Sequence, residues 1–445
     1  MAYIFILPIF FVIYYLLKNR QDLAFLNVYL PCQILLPDYY AVRIPHLPPE
    51  SAASWALLPL GVSLLIYPAW KMDLRRMDLW VVLFILSQLA SETMRESSPK
   101  DGIAFFASYI TQVYLAYVVG RRLIEPDLRV KTLQRIVLLF LCLTPCIAWE
   151  YRMTENPWVR FGSQVLHLDI VNFVQIRGGS ARVQASFGHA ILAGIMFFIV
   201  FMLNCQLSVI YKRDKSRLSD LMARLERYHV PAIMLVFFLW CTRSRGPMAS
   251  AAAAYSILQI PRFRYRKLAT FVLLLVLGVA GGLVYGFLQS YTNSTNTNDG
   301  SLSEAQTSAM YRRELLKNYV PLAEQGGWLG WGALSVPHVA GQQSIDNGYL
   351  LMELAQGKLG LDLFFLMMAE ALLTTAYRAY TFHSVESRYF AFILLGSMIG
   401  LFISLTTVYL GGPVSPMYFL LLGWSQSLRD EVGPAEKFQF KRVFA

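Results

Sequence analysis

The sequence predicts an all-α bundle of membrane-spanning helices, and three observations carry that reading. Apolar runs recur from the first residue to about residue 428, 56% of the 445 residues are hydrophobic, and only 15% are charged. Mean hydropathy is +0.45. A soluble domain carries about 25% charged residues, so this much apolar surface needs lipid. Because the apolar runs continue throughout, residues 1–445 are expected to form one membrane domain.

A span needs roughly 20 mostly apolar residues, or about 17 at the short end. About thirteen segments are candidates, near residues 2–17, 22–36, 53–70, 77–91, 103–119, 132–150, 187–211, 229–242, 247–260, 268–288, 349–376, 389–410 and 414–428. The second, eighth, ninth and last are short, which leaves the number open by two. The first run lacks both a basic leading region and a small-residue cleavage site, so it reads as a retained span and not as a removed signal peptide.

Orientation follows from the bias of Lys and Arg toward cytoplasmic loops. Lys18 and Arg20, then Lys71, Arg75 and Arg76, then the stretch from Arg121 to Arg135 occupy every second connection. The alternation continues through Lys212–Arg227, Arg262–Lys267, Arg378 with Arg388, and the Lys437–Arg442 tail. These connections are expected inside, with the N-terminus outside. The net charge of +11 is explained mostly by these clusters, which would meet anionic headgroups, so no nucleic-acid partner is inferred. Four of the five cysteines lie inside apolar runs and Cys146 follows Cys142 by one helical turn, which is no disulfide framework.

The opposite side carries two long loops, residues 151–186 and 289–348. The tract from Tyr291 to Gly300 is too polar to bury. From Ser303 to Asn318 the second loop reads as a helix: Ser303 and Gln306 form a plausible capping box, and Ala309, Met310, Leu315 and Leu316 recur at helical spacing. This helix is expected to lie over the mouth of the bundle. A turn-rich segment, Gly326 to Gly332, follows.

Arginine on this outer side runs against the charge bias. Arg152, Arg160, Arg177 and Arg182 lie in the first long loop without a lysine, and Arg312 and Arg313 lie in the second. Arg243 and Arg245 occupy Thr242-Arg-Ser-Arg-Gly-Pro247, a very short connection between two short spans. Guanidinium makes planar, bidentate bonds to phosphate and keeps its charge, which suits a pyrophosphate anchored on a lipid. Single loop arginines often bind only headgroups or carboxylates, but two cations in a tight turn next to lipid are costly unless employed.

A second signal is Ser344-Ile-Asp-Asn-Gly-Tyr-Leu350, where the large loop enters the next span. Asp346 and Asn347 would sit at a helix N-terminus, either as simple caps or, for Asp346, as a carboxylate that orients or deprotonates a sugar hydroxyl. A third is Arg182 to Gly194, where His189 is a candidate general base or a hydrogen-bonding interfacial residue; His338 has the same two readings. No HExxH, paired CxxC or spaced acidic cluster suggests a metal, and no GxxxxGK[ST] or strand-following GxGxxG suggests a nucleotide, so no metal and no cofactor are expected.

The turn Arg243-Ser-Arg-Gly246, the large late loop, and Asp346-Asn-Gly-Tyr-Leu350 with Gly357 and Gly360 together resemble the O-antigen ligase and polymerase superfamily of bacterial membrane glycosyltransferases, over roughly residues 175–375. The resemblance implies a GT-C-like, inverting, metal-independent enzyme of the inner membrane, acting on its outer face. The implied donor is a glycan on undecaprenyl pyrophosphate, with membrane lipid and a chain-length regulator protein as further candidate partners. Residue by residue it carries over Arg243 and Arg245, Arg182, and Asp346 with Asn347; the chemistry of the residues adds Arg312, Arg313 and Tyr349 as candidates for donor binding, and His189 and His338 beside Asp346 as catalytic candidates. Ligases of the superfamily usually carry His where Asp346 stands, which shifts weight to a polymerase of O-antigen or exopolysaccharide. The alternatives are a ligase moving finished polymer to a lipid acceptor and a flippase or transporter for the lipid-linked sugar. A transporter would spread polar residues through both membrane halves, whereas the unusual charges here gather on one side.

Overall fold

The computed structural model describes residues 2–42, 49–66, 74–94, 99–170, 174–177, 179–276, 278, 304–342 and 344–430. Its helices are α1 (Leu7–Leu17), α2 (Gln21–Ala24), α3 (Leu30–Leu35), α4 (Ala52–Ile66), α5 (Arg76–Met94), α6 (Pro99–Tyr109), α7 (Ala116–Arg122), α8 (Pro126–Cys142) and α9 (Thr144–Met153). They continue as α10 (Pro157–Gln164), α11 (Ala190–Arg213), α12 (Asp220–Arg227), α13 (Val230–Cys241), α14 (Arg245–Gln259), α15 (Glu304–Gly326), α16 (Gly348–Thr381), α17 (Val385–Ser404) and α18 (Val414–Ser427). A two-residue hairpin, β1 (Ile176–Arg177) with β2 (Ser180–Ala181), stands in the first long loop. The chain is an all-α membrane protein, and among the described residues five helices are long and apolar enough to cross a bilayer.

The expected spans are found as helices with two kinds of departure. The second runs as α2 and α3 joined by a π-helical turn, Phe25–Tyr29, and the fifth is divided by another, Ile110–Leu115. Residues 279–303 lie outside the description, and with them most of the 268–288 span, the polar tract and Ser303 of the expected capping box. The helix expected from Ser303 to Asn318 is α15, and it runs on to Gly326 through Pro321.

The core is formed by α11, α17 and α18. Phe197, Phe198, Phe392, Leu394, Phe419 and Leu421 are all fully buried. α11 has its apolar residues all round, as a helix enclosed by protein in lipid should. One end of the bundle is tied by basic side chains: Arg75 donates to the Gln426 carbonyl, Arg378 to the Ser425 carbonyl, Arg121 pairs with Asp78, and Arg217 pairs with Glu386 at 2.7 Å. A different set of arginines lies at the opposite end.

Two features shape that opposite end. The 12 residues of α13 reach only about 18 Å at roughly 1.5 Å per residue, short of a hydrocarbon core about 30 Å thick. The second feature is a reversal inside α16 that the hydropathy pattern does not reveal. Sixteen residues of straight helix, Tyr349 to Phe365, would span roughly 24 Å, yet the two rings stack 5.4 Å apart. The break is at Gly357, φ +68° and ψ −170°.

The turn-rich segment supplies what the broken helix lacks. The carbonyls of Gly327 and Trp328 accept from Lys358 and Leu359 N–H (3.2 and 3.1 Å), while Trp331 and Gly332 N–H donate to the Leu354 and Ala355 carbonyls (2.7 and 3.0 Å). Ser91 Oγ also donates to Ala355, and the buried Glu92 accepts from Ala333 N–H and from Gln88 at 2.7 Å. A Cβ on Gly357 would meet the Trp328 carbonyl, and this φ/ψ region belongs essentially to glycine. Gly357→Ala is thus expected to cost at least ~1–3 kcal/mol in backbone strain alone. It should lower the unfolding midpoint in detergent, while Gly102→Ala, whose Cβ would meet only an ordinary 3.4 Å contact, should not. Equal midpoints would refute this account of the break.

Candidate functional site

The site is built on the C-terminal end of α13. Its last carbonyls have no intrahelical partner and carry the negative end of the helix dipole. Val183 N–H donates to the Cys241 carbonyl at 3.2 Å, and Arg182 Nε donates to the Thr242 carbonyl at 3.3 Å. Arg182 Nη2 reaches Ser244 Oγ at 3.0 Å, and Nη1 donates to Gln175 Oε1. A guanidinium only 7% exposed is thereby fixed on three sides.

Arg243 ends α13 in the left-handed region at φ +49°, where a glycine would be usual. It is held there reciprocally: Arg243 Nη1 donates to the Arg177 carbonyl at 3.1 Å, and Arg177 Nη1 to the Arg243 carbonyl at 3.2 Å. Its guanidinium also lies over the Trp240 ring, 5.7 Å from the centroid. The hairpin of β1 and β2 is therefore clamped to the arginine turn. Below it, Glu150 anchors the same loop by accepting from Gln184 and Ala185 N–H (3.0 and 2.9 Å) and from Asn156 at 3.2 Å.

Across the site, Tyr311 of α15 donates its hydroxyl to the Ser344 carbonyl (2.6 Å) and accepts from Ser344 N–H (3.0 Å), and Ser344 Oγ donates to Asp346 at 2.6 Å. That contact, with Leu315 and Tyr319 packed on Ile345, Leu350 and Leu354, lays α15 over the entry to α16 and brings Arg312 toward Asp346. The expected helix over the mouth is present in this form.

The charges act on one another. Burial brings Arg182 down to about 10, Arg177 pushes the same way, and Asp346 opposes; it stays a cation at neutral pH. Arg312 is exposed, yet partial desolvation lowers it, Asp346 opposes, and Arg177 and Arg245 add to the lowering. His189 is lowered by burial, then by Arg182, so its imidazole is neutral at neutral pH. Arg177, Arg182, Arg245 and Arg312 thus share one neighbourhood with Asp346, three cations in excess. Two guanidiniums about 6 Å apart repel by roughly 3 kcal/mol at an effective dielectric of about 20.

Helix dipoles add to the field. α11, α14 and α16 all begin here, after His189, Ser244 and Asn347. The first N–H groups of a helix have no intrahelical acceptor, and with arginine beside them they favour an anion.

Family comparison agrees with the geometry. Residues 230–365 match the sequence model of the family described as O-Antigen ligase. The match covers less than half of the chain and supports the O-antigen ligase and polymerase superfamily. No curated protein matches the chain significantly. The O-antigen ligase domain contains Arg243, Arg245, Arg312, Arg313, His338, Asp346, Asn347 and Tyr349, and the fold brings Arg182 and His189 to it from outside the match.

Several residues selected from sequence have their polar atoms committed to structure. Asn347 Oδ1 caps α16 by accepting from Tyr349 and Leu350 N–H, both at 3.1 Å. The Tyr349 hydroxyl donates to the Phe402 carbonyl at 2.6 Å while its ring packs among Phe364, Phe365 and Phe402. His189 Nδ1 accepts from Ile191 N–H at 3.2 Å, and its Nε2 lies 3.4 Å from the Gln175 side-chain nitrogen. Arg245 and Arg313 are exposed, as is His338 in the turn that Tyr319 holds through Val339 N–H. Sequence reading noted Arg177 as an outer arginine without selecting it, and it passed over Gln175, Ser244 and Tyr311, whose roles depend on pairing across the chain.

Inorganic pyrophosphate should therefore raise the thermal midpoint of the purified protein, less so in high salt, and Arg182→Ala should weaken this at least tenfold in apparent Kd. A pyrophosphate shift unchanged by that substitution would place the anion elsewhere.

Proposed function

We propose that this chain is a polysaccharide polymerase of the bacterial inner membrane, acting on its outer face. It would transfer the glycan of one undecaprenyl-pyrophosphate-linked unit to the non-reducing end of another, making O-antigen or exopolysaccharide. The observation that carries the proposal is the surplus of fixed guanidinium charge at one end of the O-antigen ligase domain. Asp346 standing where ligases carry His supports the polymerase branch.

The chemistry suits these groups. Pyrophosphate is already a good leaving group, so the enzyme needs mainly to stabilise the charge that develops on it and to align the acceptor hydroxyl behind the anomeric carbon. Arg182 is fixed by three polar contacts, so its position costs little to organise at the moment of reaction, and Arg245 stands at the start of α14 as a second donor. The proposed roles of Arg312 and Arg313 on α15 are to meet the glycan-bearing phosphate from above, and that of Arg243 is to hold the turn. Inversion follows from a single in-line displacement. No nucleotide sugar enters the step, and a chain-length regulator protein would act from outside this site.

The test is extension of a defined undecaprenyl-pyrophosphate oligosaccharide by purified protein in nanodiscs. Products longer by whole repeats are expected without nucleotide sugar, and Arg245→Ala should slow their formation about 100-fold. Wild-type rates in both Arg245→Ala and Arg182→Ala would overturn the proposal. Transfer to a non-glycosylated lipid acceptor in place of extension would replace it with the ligase reading.

A further inference from the structure

Asp38 lies in the short connection after α3, outside the motifs that reveal the arginines. Its half-buried carboxylate is wedged between two backbone turns. A Cβ on Gly412 would lie 2.7 Å from Asp38 Oδ2, and one on Gly188 would lie 3.4 Å from Oδ1. Both glycines have positive φ, +52° and +70°, so each turn is of a kind that leaves room for the carboxylate.

These turns belong to the site. Gly188 directly precedes His189, and Gly412 closes the segment after α17 whose Leu405 carbonyl accepts from Gly348 N–H at 2.8 Å. The stretch that leads to Asp38 is pinned to both: Gln33 donates to the Pro413 carbonyl at 2.8 Å, and Ser186 Oγ to the Ile34 carbonyl at 2.5 Å. Tyr409, 39% exposed, is in electrostatic reach of both acids: its hydroxyl is raised by partial desolvation, then by Asp38 and by Asp346.

The two carboxylates differ in their surroundings. Asp346 accepts from Ser344 Oγ and acts on Arg182 and Arg312. Asp38 is raised by burial, opposed only by backbone N–H groups, with no cation among the causes. A carboxylate that is enclosed and not neutralised by arginine is the better proton acceptor near neutral pH.

We propose that Asp38 is the catalytic base of the transfer and that Asp346 is a positioning residue for the arginines. This rests on the glycan-transfer reading above. The acceptor oxygen bonds to the anomeric carbon, and the anomeric C–O bond to the diphosphate breaks with its electron pair on the departing oxygen. The hydroxyl proton passes to an Asp38 carboxylate oxygen and from there to water. The titratable groups in electrostatic reach of Asp38 are Tyr39 on its own connection and Tyr409, with Asp346 acting on Tyr409 from its other side and Glu150 acting on Tyr39.

The experiment is steady-state extension of the lipid-diphosphate oligosaccharide in nanodiscs across pH. Asp38→Asn should lower kcat about 10²–10⁴-fold with donor KM and pyrophosphate binding unchanged, and Asp38→Glu should restore part of the rate. Asp346→Asn should instead raise donor KM and weaken pyrophosphate binding. Because activity needs the deprotonated carboxylate, wild-type kcat should fall on acidification through a limb above the ordinary carboxylate range, and Asp38→Asn should lack it. Wild-type kcat in Asp38→Asn overturns the assignment while leaving glycan transfer standing. An acid limb in the ordinary carboxylate range overturns it even if the variant does not accumulate. A wild-type protein that binds pyrophosphate but extends nothing overturns the glycan-transfer reading itself.

Discussion

Crowding of guanidinium charge that cannot be neutralised is the constraint on which the rest of this structure depends. Arginine holds its proton, so a cluster of four around one carboxylate must be restrained by the scaffold. The scaffold does this with backbone. The open carbonyls at the end of α13 take Arg182, the carbonyls of Arg177 and Arg243 take each other's side chains, and a left-handed residue stores strain in the turn between them. Restraint of this kind persists where function requires it. The electrostatic deficit is then an affinity waiting for an anion.

The surrounding architecture makes that affinity usable by a lipid-linked substrate. A short α13 and an α16 that reverses at Gly357 shape the end of the bundle that carries the arginines. Non-helical backbone at membrane depth is tolerated where it lines a polar cavity, and here the exposed peptide groups of the break are taken up by the Gly326–Gly332 turn. α15 packs over the entry to α16 beside these arginines, where the proposed lipid diphosphate would bind.

Much of this is legible in the sequence because hydropathy and charge act locally. Helix class, most span positions, the outer arginines and the helix after Ser303 follow from composition and period alone. What stays hidden is what depends on distant pairing. The alternative roles of Asn347 and Tyr349 are decided by a cap and by a carbonyl on α17, and His189 is committed to capping α11. The reversal at Gly357 is invisible because the residues on both sides are good helix formers, and only the approach of another backbone reveals why glycine stands there. Asp38 gives no signal either, since one acid at the end of a short span reads as an ordinary loop residue.

The central claim is that the clustered arginines grip a lipid diphosphate, and the most direct measurement is a high-resolution cryo-EM map of the protein in nanodiscs with undecaprenyl pyrophosphate. The account predicts diphosphate density within hydrogen-bonding distance of Arg182 and Arg245, beneath Arg312. Density for the headgroup at the opposite end of the bundle, beside Arg75 and Arg378, would contradict it.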